Sequence, residues 1–239
     1  YKKNEMKKLI LILFIPLVSF GQTAEKYFNS AYEKAEAKDY SGAIRDYNIA
    51  IELKPNDANI YYNRGTSKLY LKDYNGAIAD FNKAIELNPN FALAYINRGE
   101  VKNLLKDYIE AIADFSTAIE LNPNFAIAAL AYSNRGNSKN KLKLYNGAIV
   151  DFNKSIELDS NNPIAYFNRG FTKAILKDYN GAIRDYNIAI ELDSDYGMSY
   201  FNRALAKRIV GDKKGACEDA RKSGSLGYPF PKMIADACN

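Results

Sequence analysis

The chain has 239 residues, of which 47% are hydrophobic and 26% are charged, and its formal net charge is +5. These proportions are ordinary for a folded, water-soluble protein. It contains no histidine and only two cysteines, which excludes histidine-based catalytic triads and most zinc sites.

The N-terminus has the pattern of a secretory signal peptide over residues 1–21. Two lysines follow Met6, a candidate initiator, residues 9–18 are apolar, and a short polar stretch follows around Gly21. This order is typical of signal peptides, and the run is shorter than the roughly 20 residues of a membrane span. Cleavage is expected after Gly21. The prediction is an exported protein, periplasmic or secreted, with an uncleaved membrane anchor as the alternative.

Cleavage of the predicted signal peptide would lower the net charge of the chain. Removing residues 1–21 takes away four lysines and one glutamate, which leaves 29 basic against 27 acidic side chains and a net charge of +2. A nucleic-acid-binding protein concentrates basic residues on one face, whereas here they are spread along a repeat. We therefore expect no nucleic-acid partner.

One sequence pattern recurs through the rest of the chain. The tripeptide Asn-Arg-Gly occurs at residues 63–65, 97–99, 134–136 and 168–170, and residues 202–204 are Asn-Arg-Ala. The copies are 34, 37, 34 and 34 residues apart. An internal period of this size indicates an array of one supersecondary unit rather than a single globular core.

Residues 58–91 show the physical character of one unit. Residues 58–72 contain no helix breaker except Gly65, residues 75–87 follow a short turn, and Pro89 ends the second segment, as a proline just beyond a helix does. Apolar residues recur at helical spacing in the second segment: Ala77, Ile78, Phe81, Ala84 and Ile85. Each unit is therefore predicted to be a pair of antiparallel helices that buries its apolar stripe against its neighbours.

The pattern resembles the tetratricopeptide repeat (TPR), a 34-residue helix–turn–helix with small residues at positions 8 and 20 and an aromatic residue at position 24. The six units are counted from Ala24, Ala58, Ala92, Ala129, Pro163 and Gly197. Position 8 is glycine or alanine throughout, position 20 is always alanine, and position 24 is aromatic in the first five units. The resemblance implies an all-α fold, a right-handed α-solenoid of about six units with a C-terminal capping helix.

The predicted domain limits follow the repeat. The six units occupy residues 24–57, 58–91, 92–128, 129–162, 163–196 and 197–227, and residues 228–239 form the cap. The third unit carries a three-residue insertion, which a longer first helix in the next unit is expected to absorb. The sixth unit is degenerate, as terminal repeats often are.

Arginine at position 7 accompanies aspartate at position 23 in units two to six. The pairs are Arg64 with Asp80, Arg98 with Asp114, Arg135 with Asp151, Arg169 with Asp185 and Arg203 with Asp219. The planar arginine side chain suits a bidentate pair with a carboxylate. We therefore expect a structural Arg–Asp ladder, either between the two helices of a unit or between adjacent units.

Asparagine fills position 6 of every unit although it is a poor helix former. The six residues are Asn29, Asn63, Asn97, Asn134, Asn168 and Asn202. In TPR arrays that bind extended peptides, asparagines at the equivalent inner position hold the ligand backbone, and the resemblance implies this role for the five from Asn63 to Asn202. An amide can donate and accept toward any peptide unit. The alternative is that these side chains bond within the array.

Positions 5 and 9 lie on the same inner side and vary between units. Tyr62 occupies position 5 of the second unit, and units five and six present Phe167, Phe171, Phe201 and Leu205. An exposed apolar patch usually marks an interaction site, so these residues are predicted to contact a partner. The alternative is that residues 228–231 or a neighbouring subunit cover them.

The two cysteines, Cys217 and Cys238, are expected to form a disulfide in an exported protein. It would stabilise the cap by about 3 kcal/mol. The alternative for Cys217 is a buried apolar role, because units one to five have isoleucine at its position.

Little in the sequence supports catalysis. The glycines lie at helix-packing and turn positions rather than in a phosphate-binding loop, and most carboxylates recur with the repeat, with Glu100 as the clear exception on the inner side. The prediction is a non-catalytic module, without cofactor or metal, that binds an extended peptide or a partner helix in a concave groove. The alternative is a structural or assembly subunit of a cell-envelope complex, held by its side surfaces and its cap.

Overall fold

The structure, a computed structural model, describes residues 17–122 and 126–229, with side chains from Thr23 onward. Within these ranges the chain forms twelve α-helices and no strand. The helices are α1 (Leu17–Glu36), α2 (Tyr40–Leu53), α3 (Ala58–Tyr70), α4 (Tyr74–Leu87), α5 (Ala92–Leu104), α6 (Tyr108–Leu121), α7 (Ala126–Lys141), α8 (Tyr145–Leu158), α9 (Pro163–Ile175), α10 (Tyr179–Leu192), α11 (Gly197–Ile209) and α12 (Lys213–Ser225). The prediction of an all-α fold is confirmed.

The helices pair as hairpins, each odd-numbered helix with the even-numbered helix that follows it. By packing, the chain divides into two parts, which we call the N-terminal part (Tyr1–Pro89) and the C-terminal part (Asn90–Asn239). In the N-terminal part α3 packs on both α1 and α2. In the C-terminal part α6 packs on α7, α8 on α9 and α10 on α11, while α5, α7, α9 and α11 also contact one another in that order. This stacking of hairpins within each part is that of an α-solenoid.

An aromatic ring at position 24 occupies the centre of each of the first five hairpins. Tyr47, Phe81, Phe115, Phe152 and Tyr186 are fully buried. The residue at position 8 of the first helix lies directly against this ring: a Cβ atom at Gly136 would be only 2.7 Å from Cε1 of Phe152. Glycine therefore allows the two helices of the hairpin to approach each other around a large side chain.

The turn within each hairpin is set by positions 15 and 16. Position 15 adopts a left-handed backbone conformation, for example at Lys72 with φ of 64°, so that α3 ends at Tyr70. In α2, α4, α10 and α12 an aspartate at position 16 then caps the second helix; Asp73, for example, accepts a hydrogen bond of 3.0 Å from the backbone N–H of Gly76. A Cβ atom at Gly76 would lie 2.1 Å from that carboxylate, which explains why glycine follows the capping aspartate. Position 16 makes no such bond in α6 and α8, where it is Asp107 and Leu144.

The three extra residues before the fourth Asn-Arg-Gly lengthen α7. This helix has 16 residues, whereas α3, α5, α9 and α11 have 13 each. The additional turn lies at its N-terminal end, before Ala129. The hairpin turn and the contacts of α7 with α6 and α8 are thereby kept.

The two ends of the chain carry predictions that the structure leaves open. Residues 1–16 of the predicted signal peptide lie outside the described residues, and α1 begins at Leu17, before the expected cleavage point. Residues 230–239 of the predicted cap, which include the partner cysteine Cys238, also lie outside them. The signal peptide, the cap and the disulfide therefore stay predictions. None of the described helices has the length and apolar character that a membrane crossing requires.

Candidate functional site

A network of ionic and aromatic contacts holds each hairpin together on the side where its two helices meet. In α7 and α8, the Nε and an Nη atom of Arg135 donate to the two carboxylate oxygens of Asp151 at 3.0 and 2.8 Å, and Lys139 Nζ lies 2.7 Å from the same carboxylate. Arg135 also donates to Ser116 of the preceding hairpin at 3.0 Å and lies over the ring of Tyr132. One aspartate thus anchors two cations, and the arginine joins two hairpins.

The same contacts recur along the chain. The bidentate pairs are Arg64 with Asp80, Arg98 with Asp114, Arg169 with Asp185 and Arg203 with Asp219. In each case a lysine four residues after the arginine also contacts the aspartate. The predicted Arg–Asp ladder is confirmed, and it lies between the two helices of each unit. These charged side chains therefore contribute to the packing of the two helices.

The first hairpin uses a reduced version of this network. Ser30 stands where the other units have arginine, and it donates to Asp46 at 2.6 Å beside Lys34 at 2.5 Å. Burial raises the pKa of Asp46, but the hydrogen bonds from Lys34 and Ser30 outweigh it and hold the pKa below its ordinary value.

In the C-terminal part of the chain, the opposite side of the first helices of the hairpins forms a separate surface, which we call the first-helix face. It is defined by positions 6, 9 and 12 of α5, α7, α9 and α11, which helical spacing places on one side of each helix. Its residues are Asn97, Glu100, Asn103, Asn134, Asn137, Asn140, Asn168, Phe171, Ala174, Asn202, Leu205 and Arg208. Four parallel helices thus present one row of asparagines beside a set of variable side chains.

Polar bonds between neighbouring helices order the part of this face on α5, α7 and α9. Asn134 donates from its side-chain amide to Oε1 of Glu100 at 3.0 Å. Ser138 donates to Oδ1 of Asn103 at 2.8 Å, and Asn140 donates to the hydroxyl of Thr172 at 2.7 Å. The side chains on this part of the face are therefore positioned by their neighbours before any ligand binds.

Glu100 is the one carboxylate of the first-helix face. Burial raises the pKa of its carboxyl group, and the hydrogen bond from Asn134 offsets only part of that effect. Within the described residues Glu100 forms no ion pair. Its surroundings thus shift the proton equilibrium of Glu100 toward the neutral acid, relative to a carboxyl group in water.

Comparison with protein families decides what this repeat is. Models of the tetratricopeptide repeat match residues 58–91, 92–125 and 129–162, and two further TPR models match residues 31–72 and 164–196. Together these matches cover more than half of the chain. The chain belongs to the tetratricopeptide repeat family. TPR proteins generally mediate protein–protein interaction, and they are generally non-catalytic scaffolds.

Solved TPR structures share the fold of this TPR protein at low sequence identity. PilW, a widely conserved type IV pilus biogenesis factor, is 18% identical, with 91% of this chain and 99% of that chain covered and a TM-score of 0.79. PilF of Pseudomonas aeruginosa is 16% identical, with 91% and 97% covered and a TM-score of 0.79. YrrB, a TPR protein with an unusual peptide-binding site, is 23% identical, with 79% and 95% covered and a TM-score of 0.61. No curated protein matches the chain.

The position-6 asparagines from Asn63 to Asn202 are half-buried, whereas Asn29 of the first hairpin is exposed, and their bonding differs. Asn63 and Asn202 donate to backbone carbonyls one turn earlier in their own helices, at 2.8 and 2.9 Å, whereas Asn134 bonds to the neighbouring helix. The side chain of Asn168 has no hydrogen-bond partner within the described part of the chain. Asn97 lies at the equivalent place on α5. Their role toward a ligand stays a prediction.

The structure corrects one member of the predicted apolar patch. Phe167 is only 6% exposed, and its ring packs against those of Tyr186 and Tyr196, with centroids 5.8 and 5.0 Å apart. The prediction that Phe167 is an exposed contact residue is therefore wrong, because Tyr196 in the following turn covers it. Phe171 is 42% exposed, and Phe201 and Leu205 are half-buried.

The N-terminal part of the chain has a candidate site of its own. Tyr62 is half-buried, with its ring 6.0 Å from that of Phe81, so it belongs partly to the packing of that hairpin. A cleft of about 420 Å³ lies between α1 and α3. Its lining residues are Ala24, Glu25, Phe28, Lys54, Asp57, Asn59, Ile60 and Asn63. Asn63 is the predicted site residue that this cleft contains.

The sequence interpretation missed two features of the site. One is the lysine at position 11, which contacts the aspartate at position 23 in every unit; its recurrence four residues after position 7 was the available signal. The other is the bond between Glu100 and Asn134, two residues 34 apart that only the stacking of hairpins brings together.

Proposed function

We propose that this TPR protein is a non-catalytic binding module whose first-helix face holds an extended peptide or a partner helix. The observation that carries the proposal is the row of asparagines on α5, α7, α9 and α11, on the side of these helices opposite the Arg–Asp–Lys network that joins each hairpin. Asn134 and Asn202 each use one side-chain N–H within the array. An amide also carries a second N–H and a carbonyl oxygen, which can pair with the backbone of a ligand.

Two pairs of asparagines offer a matched test. Asn134 and Asn168 lie on the first helices of adjacent hairpins, and the exposed Asn146 and Asn180 lie on the second helices of the same two hairpins. Replacing Asn134 and Asn168 with alanine should weaken partner capture by about tenfold or more, because each lost hydrogen bond contributes about 0.5–1.5 kcal/mol. Replacing Asn146 and Asn180 with alanine should leave capture unchanged.

The measurement is affinity capture from cell-envelope extract with quantitative mass spectrometry, using the unmodified chain and both double variants. Circular dichroism and urea unfolding check that each variant is folded, and alanine, the better helix former, should not weaken either helix. If both variants capture the same proteins as strongly as the unmodified chain, the first-helix face is not the binding surface. A structural role through other surfaces would then be the better explanation.

The proposed location is outside the cytoplasm, and it rests on the basic and apolar pattern of residues 6–21. Mass spectrometry of the protein purified from its natural compartment tests this together with the disulfide. We expect a mature chain that begins at Gln22 and carries a bond between Cys217 and Cys238. An intact N-terminus in the membrane fraction would indicate the anchor instead. Two free thiols in the unreduced protein would contradict the disulfide.

A further inference from the structure

The side chains of the first-helix face differ in chemical character between α5 and α11. On α5 and α7 the face consists of five asparagines and Glu100. On α9 and α11 position 9 becomes apolar, with Phe171 and Leu205, while Asn168, Asn202 and Arg208 are polar members of the same face. The adjoining position 13 adds exposed apolar side chains at Ile175 and Ile209, as it also does at Leu104 on α5. We call the α5 and α7 part the polar end; position 9 thus offers a ligand a carboxylate at this end and an exposed aromatic ring, Phe171, at the other.

Glu100 gives the polar end a preference for one sign of charge. Its carboxylate receives a single hydrogen bond, from the neutral amide of Asn134, and forms no ion pair with any described residue. Lys102 and Lys139 pair with Asp114 and Asp151 on the opposite side of these helices. Lys141, at the exposed C-terminal end of α7, forms no ion pair with Glu100. A half-buried carboxylate without a cation is unfavourable unless a partner supplies one.

The spacing between the two ends can be estimated from the packing. α5 contacts α7 and α7 contacts α9, and neighbouring packed helices lie about 8–10 Å apart. Glu100 and Phe171 occupy the same repeat position on α5 and α9, so they are separated by about 16–20 Å. An extended peptide advances about 3.3 Å per residue, so about five to six residues span this distance.

We propose that the first-helix face selects a peptide segment that places a lysine or arginine against Glu100 and, about five to six residues away, an apolar side chain against Phe171. This inference rests on the proposed function and names the class of ligand for the same surface. A cation next to Glu100 stabilises the ionised carboxylate that burial alone disfavours. Phe171 and Ile175 on α9 supply exposed apolar area for the second anchor.

The test uses a phage-displayed library of random linear peptides, selected against the purified chain. Three variants are selected in parallel: Glu100→Gln, the control Glu110→Gln, and the double Asn134→Ala, Asn168→Ala variant. Glutamine keeps an oxygen that can accept from Asn134 but removes the charge. Glu110 is an exposed glutamate on α6 of the same hairpin, so its substitution changes the net charge equally and leaves the face intact.

We expect peptides from the unmodified chain and from Glu110→Gln to be enriched in lysine or arginine at one position, with an apolar residue about five to six positions away. Glu100→Gln should lose the basic enrichment. A synthetic peptide of the selected sequence should bind Glu100→Gln about tenfold to a hundredfold more weakly, as measured by fluorescence polarisation, because a charged hydrogen bond is lost.

Two other results would overturn the inference, and they differ from each other. Peptides that depend on Asn134 and Asn168 but lack basic enrichment, or keep it with Glu100→Gln, would contradict the role of Glu100 and leave the proposed function in place. If no recovered peptide loses affinity for the double asparagine variant, the first-helix face is not a peptide-binding surface, and both the inference and the proposed function are wrong.

Discussion

Replacing Asp151 with asparagine is expected to lower the free energy of unfolding by about 3–5 kcal/mol, which is the usual effect of breaking a buried ionic network. The side chain of Asp151 is 1% exposed and anchors both Arg135 and Lys139. Asparagine has nearly the same shape, so the loss arises from two cations that face a neutral amide. Urea unfolding followed by circular dichroism measures the change.

The same hairpin provides a control for the charge itself. Lys154 and Glu157 on α8 form an ion pair of 2.7 Å whose side chains are largely exposed. Because exposed pairs contribute little, Glu157→Gln should leave the free energy of unfolding nearly unchanged. If Asp151→Asn has an effect as small as this control, the network does not hold the two helices together.

The effect of Asp151→Asn should also extend beyond its own hairpin. Arg135 donates to Ser116 of the preceding hairpin while it holds Asp151, so an arginine released from the aspartate weakens the contact between α6 and α7 as well. Stacked repeats gain stability from the interfaces between neighbours. Loss of one aspartate therefore affects two interfaces, which supports an expected effect near the upper part of the range.

The sequence was sufficient to predict the all-α fold because the constraint is repeated. The small residue at position 8 and the aromatic residue at position 24 are explained by one contact, such as that of Gly136 with Phe152, and the alanine at position 20 is buried in every hairpin. The Arg–Asp ladder was predictable for the same reason, since both residues recur together. Repetition separates a packing requirement from chance within a single sequence.

The site was less predictable because it depends on residues that do not recur. Phe167 was expected on the surface, yet it is buried because Tyr196, nearly one repeat later, packs edge-on against it. Helical spacing places Phe167 on the inner side of α9, but it does not show what covers that side. The bond of Glu100 with Asn134 likewise arises only when α5 and α7 are adjacent.

The two kinds of polar residue in the repeat therefore have separate roles. In units two to six the arginine, lysine and aspartate contact one another where the two helices meet, and Arg135 also reaches the preceding hairpin. The asparagines lie on the other side of the first helices, where their bonds differ from unit to unit. A set of residues kept in place without one common structural partner is what the proposed binding role requires.

Replacing Gly136 with alanine should destabilise the protein although alanine is the better helix former. In an ordinary helix this substitution stabilises by up to about 1 kcal/mol. Here the new Cβ atom would lie 2.7 Å from Cε1 and 2.9 Å from Cζ of Phe152, and that ring is fully buried. Overpacking of a core typically costs about 1–3 kcal/mol. We expect a net loss of about 1–2 kcal/mol in urea unfolding.

Gly147 in the same hairpin is the control, because a Cβ atom there would be 3.4 Å from its nearest neighbour, Cδ of Lys139. Gly147→Ala should therefore stabilise by about 0.5–1 kcal/mol, so the two glycine substitutions should change the free energy of unfolding in opposite directions.

Ala204 is tolerated at the position of Gly136 in the sixth unit because Ala220 replaces the ring. The first unit combines Ala31 with Tyr47, both fully buried, so a terminal hairpin can accommodate one methyl group. If Gly136→Ala proves as stable as Gly147→Ala, α7 and α8 can move apart enough to accommodate the extra methyl group, as the first hairpin does, although they are packed between two neighbouring hairpins.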